Sequence, residues 1–286
     1  MGQALPPANC MTVQTALLQG TKLLEEDSIA VPRLTAEVLL SHALHREREY
    51  LYAHPEEELT EVGWLHYGRY LHERLNGKPT QYITGRQEFY GREFRVTPDV
   101  LIPRPETEHL VEACVRRIRP GDKILDIGTG SGAIAITLAL ETEAQVYATD
   151  ISPAALRVAG ENGRKLRAPV RWLAGDLASC FASGSFDLVI SNPPYVPKTD
   201  QPALQREVRD HEPELALFAG PSGLEIYERL IPEAGRVLRP EGWLWLELGY
   251  NSLDPVRGML GTGWGEINVE RDLAGFPRVL GARALP

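Results

Sequence analysis

The chain has 286 residues, 43% of them apolar and 24% charged, the balance of a globular protein with one large domain or two unequal ones. Its net charge of −9 disfavours a protein that grips duplex nucleic acid through a basic surface. No apolar run reaches membrane-spanning length, and Cys10, Cys114 and Cys180 are scattered without CxxC spacing, which argues for a reducing compartment and against a zinc site. Met1 to Met11 has neither a basic region nor a long apolar core, so no secretory leader is expected and a cytoplasmic protein is the plain reading.

Residues 12–76 read as helical. Val13, Ala16, Leu17, Leu23 and Leu24 recur at helical spacing, and Ala36, Leu39, Leu40, Ala43 and Leu44 share a face. Thr60 suits the cap of a further helix with Trp64, Leu65, Leu71 and Leu75 inward, ending at Asn76-Gly77. His42, His45, His54, His66 and His72 share no pattern with acids or cysteines and read as surface or interface residues. Residues 1–80 hold seven Lys or Arg against eleven Asp or Glu, so no basic arm is hidden there. Residues 1–79 therefore form an expected helical domain without chemistry of its own, suited to recognising a partner. Residues 80–102 alternate, with Gly91 as the turn, and predict a β-hairpin linker.

A catalytic domain is expected over 103–286. Pro105 suits the first helical position and Glu106 and Glu108 the positive end of the dipole of a helix running to about Ile118. Strand and helix then alternate, which implies a parallel sheet with right-handed crossovers. The predicted strands are Lys123–Ile127, Gln145–Thr149, Val170–Ala174 and Phe186–Ile190, then Trp243–Leu248 after a helix at about 224–238. An antiparallel pair near 266–270 and 278–283 completes the sheet.

Two turns carry the chemistry. Gly128-Thr129-Gly130-Ser131-Gly132 follows the first strand, and Asp150 ends the second, 24 residues after Asp126. Glycines there let backbone approach a ligand and expose a helix N-terminus, while Asp150 can accept from two ribose hydroxyls. Gly128, Gly130 and Ala133 also fit a dinucleotide pattern, so the turn alone leaves the ligand open. Asp126 discriminates better, because a carboxylate suits a cationic ligand with a free amine, such as S-adenosylmethionine, more than a pyrophosphate. Asp176 and Leu177 would border the adenine, although Asp176 equally suits a helix cap.

The second turn is Ser191-Asn192-Pro193-Pro194-Tyr195. Two prolines stop the preceding strand and stiffen its carboxyl end. The Asn192 side-chain oxygen and the Pro193 carbonyl can accept both N–H bonds of a planar NH2 while Tyr195 packs on its face. Together the turns suggest methyl transfer from a sulfonium donor to such a nitrogen, driven chiefly by positioning.

At this point the sequence resembles the bacterial release-factor glutamine methyltransferases, in Ile102-Pro103-Arg104-Pro105-Glu106-Thr107-Glu108, Asp126 to Gly132, Ser191 to Tyr195, and the later run Glu212 to Leu217 with Gly220 and Gly223-Leu224. The resemblance covers about 80–286 well and 12–76 more loosely. It implies an α/β fold, a Rossmann-like seven-stranded S-adenosylmethionine-dependent methyltransferase domain with a small N-terminal helical domain and a β-hairpin. It also implies methylation of the glutamine in the Gly-Gly-Gln loop of class 1 peptide-chain release factors. Carried over by position, Gly128 to Gly132, Asp150 and Asn192 bind the donor, Asn192 to Tyr195 bind the glutamine, and Leu177 offers adenine a backbone or packing contact. A protein substrate is expected, with neither direct nucleic-acid binding nor a membrane. Other readings are a glutamine methyltransferase of a ribosomal protein, an N6-adenine methyltransferase of nucleic acid, and a non-catalytic S-adenosylmethionine-binding module.

Overall fold

The computed structural model describes residues 11–272 and 274–286; Cys10 and the opening segment that predicted no leader lie outside them. The described residues form two compact units: one runs from residue 11 to Gly85 and adds Arg206–His211, the other holds Arg86–Gln205 and Glu212–Pro286.

The first unit contains α1 (Val13–Glu26), α2 (Pro32–Leu44), α3 (Arg48–Ala53), α4 (Glu61–Leu75) and the short α5 (Thr80–Thr84). Thr12 and Thr60 accept from the backbone N–H three residues on, each satisfying an orphan donor at a helix start. The apolar stripes close on one core, with Leu24, Leu39, Leu40, Leu51 and Tyr67 almost wholly covered. Two expectations are corrected here. Leu65 is 61% exposed, because the inward stripe of α4 runs through Trp64, Tyr67 and Leu71 at three- and four-residue spacing. Thr80–Thr84, expected within the hairpin, is helical, closed by Gly85 in left-handed conformation.

The second unit opens with the hairpin itself, β1 (Arg86–Phe89) and β2 (Arg92–Arg95), turned by Tyr90 and Gly91, both at positive φ as a two-residue turn requires. Then come α6 (Glu106–Val115), β3 (Lys123–Ile127), α7 (Ala133–Glu141), β4 (Gln145–Asp150), α8 (Pro153–Leu166), β5 (Val170–Ala174) and β6 (Phe186–Ser191). Beyond β6 lie β7 (Val196–Pro197), α9 (Arg206–His211, in the first unit), α10 (Glu214–Leu217), β8 (Phe218–Gly220), α11 (Glu225–Val237), β9 (Leu238–Glu247), α12 (Leu253–Met259), β10 (Trp264–Arg271) and β11 (Pro277–Ala284). The α6 helix stops at Val115, short of the predicted Ile118, and Pro105 precedes it already in helical backbone.

The seven-stranded sheet has the order β10-β11-β9-β6-β3-β4-β5, with β9, β6, β3, β4 and β5 parallel and the last two strands antiparallel. Alternation along β3 sends Ile124 into a core shared with α6 and α7, and Leu125 and Ile127 into a core shared with α11 and α12. Both faces are covered, as nearly continuous apolar parallel strands require. From β3 the chain lays β4 and β5 on one side, then crosses to place β6 on the other. The carboxyl ends of β3 and β6 thus flank the switch point where open α/β sheets bind ligands.

Candidate active site

The glycine turn leaves β3 with Gly128 and Gly130 at φ 73° and 55°, and a Cβ at either would meet no atom within 4 Å. That open side lets a ligand reach the backbone. Gly132 has a different role, since a Cβ there would come within 3.0 Å of Ile136 and Trp172. Asp150 stiffens the turn by accepting from Gly130 N (2.9 Å) and Ser152 N (2.8 Å). Burial raises its pKa, while those N–H groups pull it down. Beneath the turn Thr129 Oγ1 donates to Asp126 Oδ2 at 2.6 Å. Asp126 is fully buried and its Oδ1 has no hydrogen-bond partner. Burial pushes its carboxyl up to about 7; the Thr129 bond and the Ala135 backbone N–H oppose the rise, and the Asp150 charge adds to it. Asn162, also fully buried, donates to Ser131 O (2.9 Å) and Arg95 O (3.0 Å) and accepts from Arg95 N (2.8 Å), which ties turn, α8 and hairpin together.

The proline turn follows β6, where Ser191 Oγ donates to Ile127 O at 2.7 Å and pins the ends of the two strands. Asn192 Nδ2 donates to Thr107 Oγ1 (3.1 Å), and Thr107 Oγ1 donates to Glu247 Oε2 (2.6 Å). The Tyr195 hydroxyl reaches the other Glu247 oxygen at 3.4 Å, and Tyr227 donates to the Glu247 backbone carbonyl at 2.7 Å. Glycines make room for Tyr195: a Cβ at Gly223 would lie 2.6 Å from its carbonyl, and one at Gly249 2.9 Å from its ring.

Both turns open on one cleft of about 230 Å³. Among the residues expected from sequence, Gly128, Thr129, Gly130, Ser131, Asp150, Asp176, Leu177, Asn192, Pro193 and Pro194 line it. Asp126, Gly132 and Tyr195, also expected there, are not among its lining residues. Asp176 is half exposed and pairs with Arg229 at 2.6 Å. Leu177 has φ 52°, an uncommon conformation for a residue with a side chain. Of the Pro-Arg-Pro-Glu-Thr-Glu segment, Pro103, Arg104 and Thr107 reach the cleft. Arg104 is paired with the buried Glu212, which also accepts from Ile102 N, so that Pro213, Leu215 and Ala216 form part of the same wall. Glu108 instead accepts from Tyr90 N at 2.7 Å and fastens the hairpin turn to α6. Sequence reasoning missed Thr107, Glu247 and Asn162 as site residues, although Thr107 lay inside a stretch already singled out.

Comparison with known proteins agrees with this architecture. Residues 15–85 match the family model for the PrmC N-terminal domain, and residues 105–211 match the methyltransferase small domain. A release factor glutamine methyltransferase of Koribacter versatilis is 45% identical over 96% of this chain and 99% of its own length. The chain belongs to the release factor glutamine methyltransferase family. The member from Nitratidesulfovibrio vulgaris is 40% identical over 95% of both chains, and that from Moorella thermoacetica 45% identical over 87% of this chain and 89% of its own. The methyltransferase fold of this family member is shared with a Pyrococcus furiosus methyltransferase (TM-score 0.53, 20% identity, 69% of this chain and 91% of that one). It is shared also with a Thermus thermophilus 16S rRNA N2 G1207 methyltransferase (TM-score 0.51, 19% identity, 70% and 49%).

Proposed function

We propose that this chain transfers a methyl group from S-adenosylmethionine to the side-chain amide nitrogen of the glutamine in the Gly-Gly-Gln loop of class 1 peptide-chain release factors. The observation that carries the reading is the meeting of the glycine turn, Asp150, Asn192 and Pro193 in one cleft at the switch point of the sheet. The family membership supplies the substrate, and the location this implies is the cytoplasm. Among the described residues no helix is long and apolar enough to cross a membrane.

The residues present fit the donor. The open sides of Gly128 and Gly130 leave backbone accessible to the ligand, and the buried Asp126 braces the turn from beneath through Thr129. Each Asp150 oxygen holds one backbone N–H and keeps lone pairs for hydroxyls, which suits a ribose. Asp126, Gly128 to Gly132, Asp150, Asp176, Leu177 and Asn192 are assigned to the donor side. When bound, S-adenosylmethionine supplies a methyl carbon activated by a positive sulfur. The chain's own part is to hold the acceptor nitrogen: Asn192 Oδ1 and the Pro193 carbonyl take its two N–H bonds, Tyr195 backs the group, and the rigid Pro193-Pro194 unit fixes their spacing. The amide nitrogen acquires positive charge as the new N–C bond forms at the expense of the methyl–sulfur bond, and afterwards it loses one proton to water, so the Asn192 and Pro193 acceptors at its N–H groups stabilise the developing charge. Recognition of the protein substrate is assigned to the helical unit, with the hairpin as the linker.

The test is incubation of the purified protein with S-adenosylmethionine and the host's release factor, followed by peptide mass mapping. One added methyl on the Gly-Gly-Gln glutamine is expected. An unmodified glutamine, with methyl found on a ribosomal protein or on nucleic acid, would refute the substrate assignment.

A further inference from the structure

We propose that Glu247 and Thr107 act as positioning residues that fix which end of the Asn192 amide faces the cleft, and so decide whether the site can accept a glutamine NH2. The inference rests on the reading above, in which Asn192 receives the substrate's amide, and goes beyond it in naming what aims that acceptor.

Hydrogen-bond polarity carries the argument. An ionised carboxylate only accepts, and a threonine hydroxyl has one proton to give. Thr107 gives that proton to Glu247 Oε2 at 2.6 Å, so toward Asn192, 3.1 Å away, its oxygen can only accept. The Asn192 group that meets it is therefore NH2, and the carbonyl oxygen is the end left for the cleft that Asn192 lines. A reversed amide would present N–H to an incoming N–H and repel it. The same carboxylate takes the Tyr195 hydroxyl on Oε1, and its backbone carbonyl takes Tyr227, so both tools of the proline turn hang on one strand end. Stability does not call for this arrangement. Glu247 is 2% exposed, and the cation behind it, Arg278, spends its Nε bond on Asp272. A buried carboxylate held by neutral donors is costly, and an apolar side chain of similar shape would be cheaper.

The device is sensitive to pH. Burial is the main cause that pushes the Glu247 carboxyl up to about 7; Glu106 from α6 adds to the rise, and Thr107, Arg278 from β11 and Tyr195 from the proline turn oppose it. Tyr227 of α11 faces it from the remaining side. Above about pH 7 the carboxylate is charged and only one polarity is allowed. Below it, the protonated group donates its own hydrogen, Thr107 is free to donate toward Asn192, and the amide can turn over.

The experiment measures kcat on release factor, S-adenosylmethionine affinity by calorimetry and the pH profile for wild type, Glu247→Gln, Thr107→Val, Thr107→Ser, the Glu247→Gln/Thr107→Val double variant and Asn192→Ala. Glu247→Gln and Thr107→Val should each lose on the order of 10²-fold in kcat, as misaimed groups do, with donor affinity retained as evidence of an intact fold. Thr107→Ser keeps the hydroxyl and should keep the rate and the acid limb near pH 7. In kcat measured at saturating S-adenosylmethionine, where Asp126 on the donor side does not set the rate, Glu247→Gln should abolish that limb, and the double variant should be no slower than Thr107→Val alone, because both break one chain. Normal kcat and an unchanged limb in Glu247→Gln, or losses that multiply in the double variant, would overturn the relay. Should Glu247→Gln fail to fold, Thr107→Val against Thr107→Ser decides it: equal rates overturn the proposal. If Asn192→Ala remains fully active, the reading of the site falls and the relay with it. If Asn192→Ala is inactive while Glu247→Gln and Thr107→Val are normal, the relay alone falls.

Discussion

On the glycine-turn wall of the cleft, Thr129 donates to the buried Asp126 carboxylate at 2.6 Å; on the proline-turn wall, Thr107 donates to the buried Glu247 carboxylate at the same distance. Both acids are pushed up to about 7 by burial. The pairs differ in what they steer. Asp126 and Thr129 are three residues apart and brace a stretch of backbone, leaving one carboxylate oxygen unpartnered. Thr107 and Glu247 are 140 residues apart and aim a side chain, with both carboxylate oxygens engaged. Under the proposed function, one wall would meet the donor through its own amides, whose geometry is set by φ and ψ. The other would meet the glutamine through a side-chain amide that could face either way and needs an outside reference.

That contrast yields predictions, from the largest effect down. Asn192→Ala removes the acceptor at the charge-developing nitrogen and should lower kcat on the order of 10²- to 10³-fold, with a much smaller change in donor affinity. Similar losses in both would erase the distinction between the walls. Asp150→Ala strips a charged acceptor and the clamp on Gly130, so S-adenosylmethionine affinity measured by calorimetry should fall on the order of 10- to 100-fold.

Asp126→Asn addresses stability. The wild-type carboxyl titrates near 7 when folded against an ordinary 3.8. The stability tied to this shift is full below about pH 4 and lost as pH rises through 7. Thermal melts should show Asp126→Asn flatter between pH 5 and 8, opening a gap of roughly 5 °C at the alkaline end. Parallel melting curves would show that the buried acid costs nothing. The smallest effect belongs to Asp176→Ala. This half-exposed carboxylate is paired with Arg229 in solvent, and its loss should change donor affinity by less than about threefold, as screened surface pairs do.

The same contrast explains what could be read from the sequence. Gly128, Gly130 and Asp150 were legible because a glycine turn between strand and helix is a local backbone signal, and strands such as Lys123–Ile127 and Val170–Ala174 stand out as apolar runs. Thr107 and Glu247 were not, because each looks ordinary in its own neighbourhood: a threonine in a first helical turn and a glutamate ending a strand. Only the crossing that sets β9 beside β6, with α6 over them, brings them to Asn192. Leu65 and residues 80–84 failed for smaller reasons, a stripe drawn one position off and a helical turn too short to declare a period. The hairpin loop was legible at Gly91, but Tyr90 beside it at positive φ carries no sequence signal.

The division of labour between the walls is tested most directly by making one deletion on each side, Thr129→Val and Thr107→Val, and measuring S-adenosylmethionine affinity and single-turnover methylation for both. The account predicts a crossed result: Thr129→Val weakens donor binding with a smaller effect on the rate at saturation, and Thr107→Val slows transfer with donor binding retained. If both variants lose the same parameter by similar factors, the two walls do not have separate tasks and the account is wrong.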